Sequence, residues 1–122
     1  MRRGTTFELQ PWITIRGTTA TAGITPEFDD WLDTTNYNLA QLRVEAPFVT
    51  GCTLYLQGCD QSGGDFVTHA SFGSGQTGAS TVRLIRTAPP GATDRLNELL
   101  RWKVLSSGGN WEACFRITSV LK

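Results

Sequence analysis

The chain has 122 residues, 39% hydrophobic and 18% charged, a length that suits one domain burying its core without metal or disulfide staples. Its 11 basic and 11 acidic side chains cancel, so no global field draws it to nucleic acid, an anionic membrane or a polyanionic substrate. Thirteen glycines, with lysine only at Lys103 and Lys122, favour strands joined by tight turns over long surface helices.

In chain order, Phe7, Leu9, Ile13 and Ile15 share one parity, and Pro11 among them predicts an edge strand or a bulge. Trp12 falls on the opposite parity and faces out. Residues 18–25 are small and polar and read as a loop, or as an arm extended along a neighbour. Phe28, Trp31 and Leu32 follow Pro26 and Glu27 at helical spacing, with Asp29 and Asp30 near the start. That pattern fits either a single helical turn or a loop whose aromatics plug one end of the fold.

Residues 39–46 predict a strand with Leu42 and Val44 inward and Arg43 and Glu45 outward, closed by Pro47 and Gly51. Cys52, Leu54 and Leu56 continue the alternation. The polar, glycine-rich residues 58–65 then lead into residues 66–72, the strongest hairpin signal in the chain. Residues 73–80 repeat the turn composition, and Val82 and Leu84 alternate with Arg83 and Ile85 in the next strand. Pro89, Pro90 and Gly91 place residues 88–97 in a long loop. Leu100, Trp102 and Val104, a turn at residues 106–110 and a last strand over residues 111–121 make a terminal hairpin in which Trp102 and Phe115 meet across strands. The expected architecture is all-β: an antiparallel β-sandwich, jelly-roll-like, of seven to eight strands with at most one short helix. Residues 1–25 read as an N-terminal edge strand and candidate arm, and residues 26–122 as the sandwich domain.

No catalytic constellation accompanies this pattern. His69 is the one imidazole, on the parity opposite Phe66, Ala70 and Phe72, so it is expected to face solvent or a partner, with no nucleophile or orienting carboxylate nearby. Glu27, Asp29, Asp30 and Asp33 lack the ligand ladder and turn glycine of a calcium loop and read as solvated charge. Residues 73–78 carry glycines but no lysine and no following helix, so they do not cradle phosphate. Cys52, Cys59 and Cys114 leave at least one thiol unpaired, and one histidine without a CxxC pair provides no metal site. The start of the chain lacks an apolar signal core, which points to synthesis in a reducing compartment, and no run approaches the ~20 apolar residues of a membrane span. No cofactor and no enzymatic activity are expected.

From residue 39 onward a distinctive order appears. Leu42-Arg43-Val44-Glu45 leads to Cys52-Thr53-Leu54-Tyr55-Leu56-Gln57, a turn bearing Gly and Asp, and Phe66-Val67-Thr68. Leu100-Arg101-Trp102-Lys103-Val104 and Ala113-Cys114-Phe115-Arg116-Ile117 close it. This order resembles the small β-sandwich virion structural and head-decoration proteins of tailed bacteriophages and prophages. Cys59 in the turn and the long insertion over residues 87–97 depart from it.

The resemblance implies a non-enzymatic capsid decoration (cement) protein, made in the host cytoplasm and found in the virion. Its partners would be a major capsid or other virion protein and further copies of itself, with a trimer the natural arrangement, and neither nucleic acid nor membrane. Arg2, Arg3, Trp12 and Arg16 are the residue types that dominate interfaces and are the expected partner-binding set. The alternatives are a carbohydrate- or receptor-binding sandwich module with an aromatic platform, or a tail, neck or baseplate component.

Overall fold

The computed structural model describes residues 4–60, 65–75, 78–89 and 92–122. Nine strands form among them: β1 (Thr5–Gly17), β2 (Thr21–Ile24), β3 (Leu32–Asp33), β4 (Leu39–Thr50), β5 (Thr53–Cys59), β6 (Val67–Phe72), β7 (Gly78–Ile85), β8 (Leu99–Ser106) and β9 (Trp111–Leu121). A single 3-10 turn, Phe28–Asp30, lies between β2 and β3. The strands build two antiparallel sheets, one in the order β1-β9-β4-β7 and one in the order β2-β8-β5-β6, with the two-residue β3 also paired to β8. The antiparallel sandwich expected from the alternation is the fold.

Period-two alternation decides which side chains fill the space between the sheets. β9 alternates buried and half-buried residues along its whole length, and β8 does the same from Leu99. Leu42, Val44, Leu84, Phe115 and Ile117 from one sheet meet Leu54, Leu56, Leu100, Trp102 and Val104 from the other, all 3% exposed or less. Each such side chain contributes about 1.5–3 kcal/mol relative to an exposed position, which is what holds the layers together. Buried polar atoms find partners across the gap. The Trp102 indole N–H donates to Gln10 Oε1 at 2.9 Å and that of Trp111 to the Thr19 carbonyl at 2.9 Å.

Several expectations are redrawn. β5 and β6 do form the hairpin. β8 and β9 do not pair: they lie in opposite sheets, and the Trp102–Phe115 contact, edge-to-face at 5.0 Å, crosses the core instead of a hairpin. Pro47 does not close its strand, because β4 runs on to Thr50. Pairing with β7 ends at Ala46↔Gly78, so the missing proline N–H removes no bond on that side, and a register shift between Glu45 and Phe48 absorbs the ring on the β9 side. From Thr5 the segment read as a candidate arm pairs along its length with β9 and buries Leu9, and Thr21–Ile24 pairs with β8 of its own chain.

Candidate functional site

The outer face of the β1-β9-β4-β7 sheet carries the exposed members of the expected partner-binding set. β1 is an edge strand with register shifts between Glu8 and Gln10 and between Gln10 and Ile13, which accommodate Pro11. Beyond them Trp12, Thr14 and Arg16 are exposed while Ile13 and Ile15 turn toward the core. Trp12 is 49% exposed, an unusual position for a side chain of that size.

Charged neighbours fix the indole. The Arg116 guanidinium carbon sits 4.9 Å from its ring centroid, and the same group donates from Nε at 3.2 Å and Nη2 at 2.6 Å to Glu45 Oε1. Arg43 approaches that oxygen at 3.6 Å. The hydrogen bond from Arg116 holds the Glu45 carboxyl below its ordinary range, with Arg43 adding to the effect. A row of Trp12, Arg116, Glu45 and Arg43 therefore runs across β1, β9 and β4. Beside it lies a pit of about 210 Å³ lined by Trp12, Glu45, Ala46, Pro47, Gly78 and Ala79.

Arg16 shares the face but not the pit. It pairs with Glu112 at 3.2 Å, both side chains well exposed, and edges a separate cavity of about 290 Å³ that also includes Thr18, Thr50, Asn110 and Trp111. An ion pair in that setting contributes little to stability and leaves the arginine available. Arg2 and Arg3 lie outside the described residues.

His69 is not turned to solvent as its parity implied. A register shift between Leu56 and Gln57 in the β5–β6 pairing inserts a bulge that turns the ring inward over Gly58, where an added Cβ would lie 2.5 Å from Nε2. Nδ1 lies 2.7 Å from the Thr93 carbonyl and donates to it. Nε2 is buried and near the Asn97 amide, whose Oδ1 is also buried, and neither makes a well-formed hydrogen bond among the described residues. Burial pushes the His69 pKa down; the Thr93 carbonyl, the Asn97 amide and the charge of Asp94 oppose it.

Elsewhere the titratable groups serve local structure. Asp33 Oδ1 accepts from the Thr35 N–H at 2.9 Å and hydroxyl at 2.6 Å, which lowers its pKa. Cys52 and Cys59 stand at opposite ends of β5 and do not bridge, and burial pushes the Cys52 thiol up. No group of three or more His, Cys, Asp or Glu able to hold a metal ion occurs among the described residues, and no helix among them is long and apolar enough to cross a membrane.

Two arrangements carried no sequence signal. Arg101 lies 3.5 Å from the Phe66 ring centroid and 4.9 Å from that of Trp31, a stack assembled from three separate segments. A groove of about 560 Å³ runs past Tyr55 between Thr53, Ser74, Ser106 and Ser107. Both depend on contacts between residues far apart in the chain, which periodicity does not encode.

No protein-family model and no curated protein matches the chain. Among solved structures it is similar to a Bacillus endospore appendage of a family of disulfide-linked pili, at 10% identity and a TM-score of 0.49, over 100% of this chain and 94% of that one. It is also similar to VP2 of the infectious bursal disease virus subviral particle, at 16% identity and a TM-score of 0.42, and to a chain of the Gx strain of that virus, at 13% identity and 0.32. Each viral comparison covers 97% of this chain, which spans about a third, 32%, of the viral chains. At these scores and identities the likenesses carry no argument about what this chain does.

Proposed function

We propose that the chain is a non-enzymatic virion structural protein, a capsid decoration protein that docks on a phage shell through the outer face of the β1-β9-β4-β7 sheet. The observation that carries this reading is Trp12, half exposed on a strand whose opposite face is core, braced by Arg116 and set beside an apolar pit. A preorganised tryptophan loses little side-chain freedom when covered, which is why such residues dominate interface energies. Arg16 extends the contact surface, and Arg2 and Arg3 precede the same strand in sequence. The resemblance of residues 39–122 to phage virion proteins provides the class of partner, and self-association belongs to the same reading. A tail, neck or baseplate location makes identical physical demands.

Electron microscopy and mass spectrometry of particles purified from cells carrying the gene are expected to show the protein in regular high copy number. Trp12→Ala is expected to keep the folded circular dichroism spectrum and lose particle affinity by ~30-fold, as for an interface hot spot. Particles that lack the protein, or a Trp12→Ala variant that attaches as tightly as wild type, would overturn the proposal.

A second reading, a glycan-binding module, draws on the groove beside Tyr55, where an aromatic ring meets several hydroxyls. Arg116 occupies one face of Trp12, so Tyr55 is the better platform for a sugar ring. Glycan-array binding by wild type that disappears in Tyr55→Ala, with particle attachment absent, would favour this alternative.

A further inference from the structure

The two sheets present edges that differ in how they are guarded. β1 carries Pro11, Glu8, Arg16 and two register shifts. β6 is bulged, and β2 and β3 are short fragments of four and two residues. β7 is the least guarded of the edges. Its pairing with β4 runs without a register shift from Leu39↔Ile85 to Ala46↔Gly78, it contains no proline, and Arg83 is its one charged residue. At Ile85 the outer side is already taken, by the bridge to Arg95 and by hydrogen bonds with Asp94 and Leu96. The open stretch is Gly78 to Leu84, and Thr81 is its midpoint. A straight edge with a single charged residue is a template for another strand.

We infer that β7 pairs antiparallel with β7 of a second copy about a two-fold axis at Thr81, joining two four-stranded sheets into one of eight. The charge pattern selects this occupant and register. Opposed residues must share a face, so Thr81 meets Thr81, and Arg83 of each copy meets Ala79 of the other. Arg83 has no ion pair within its own chain among the described residues. Ala79 is the cross-strand neighbour of Glu45, and its small side chain lets the incoming guanidinium extend toward that carboxylate, whose contacts with Arg116 at 2.6 Å and Arg43 at 3.6 Å both go to Oε1. An axis at Val82 would bring the two Arg83 side chains onto adjacent diagonal positions, and a parallel pairing would set them side by side. The arrangement is isologous and closes at two copies. It does not rest on the decoration reading, since the dimer forms whether or not a shell is the partner.

Sedimentation equilibrium of the full chain at micromolar concentration is expected to show a dimer. Thr81→Lys places two ammonium groups on the axis and is expected to raise the dissociation constant by ~100-fold or more, with an unchanged circular dichroism spectrum because Thr81 is exposed. Thr81→Cys is a second readout that does not depend on the lysine variant folding. Under mild oxidation it is expected to form a covalent dimer, whereas Thr14→Cys on β1 and the wild type, with its own three thiols, do not. A monomer, a trimer, a dimer that Thr81→Lys leaves intact, or a Thr81→Cys protein that does not cross-link would each overturn the inference.

Discussion

His69 shows how one residue's surroundings set a property of the whole chain. Burial lowers its pKa in the folded state, while in the unfolded chain the ring titrates near its ordinary 6.5. Below that pH the unfolded chain binds more protons than the folded one, so stability falls as pH drops through 6.5 and levels off once both states are protonated. Replacing the ring with His69→Gln is expected to flatten this acid-side loss; melting temperatures of the two proteins, read from pH 8 to about 5, check it. Melting curves of equal pH dependence would mean that the ring is not held as described. Residue parity pointed His69 outward because alternation assumes unbroken pairing. The bulge that reverses it depends on how β6 meets β5, which no run of β6 residues reveals.

At the scale of elements, the passage of the chain from one sheet to the other rests on Gly51, between β4 and β5. Its φ is 71°, and a Cβ there would stand 2.5 Å from the Asn110 carbonyl oxygen. Gly51→Ala is expected to cost about 1–3 kcal/mol by adding a left-handed backbone penalty to a backbone clash, measured by urea denaturation with an unchanged m value. The β5–β6 hairpin was legible because both strands and their glycine-rich connection are adjacent in sequence. The equally regular β8–β9 pair was misread for the complementary reason: each strand displays the same alternation whether its hydrogen-bonded neighbour is the next strand or a distant one. The short connection after β8 carries the chain across to the opposite sheet.

At the scale of the molecule, Phe115 is the largest fully buried side chain among the described residues and the place where the sheets lock together. Phe115→Ala is expected to cost about 3–5 kcal/mol, enough to leave a domain of ordinary stability partly unfolded at 37 °C, as calorimetry would show. Charge is also a whole-molecule property. The chain sums to zero, yet Glu27, Asp29, Asp30 and Asp33 precede β4, Asp60 and Asp65 flank the β5–β6 turn, and Asp94 and Glu98 precede β8. The pairings Cys59↔Leu99, Gly58↔Val67, Asp33↔Leu99 and Leu39↔Ile85 bring all these connections to one end of the sandwich. At that end these eight carboxylates gather around Arg86, Arg95 and Lys122, a clustering of charge that the strand order reveals and the balanced composition hides.

The residues alone determined the class of fold, the inward and outward faces of the regular strands, and the exposure of Trp12, because these follow from local alternation and from proline chemistry near Pro11. Only the tertiary structure decided which strands are neighbours, which edge stays open and what surrounds Trp12. Alternation specifies the face a side chain takes and is silent about the partner across the hydrogen bonds, so the Arg116 brace, the inward turn of His69 and the open edge of β7 arise only when distant segments are brought together.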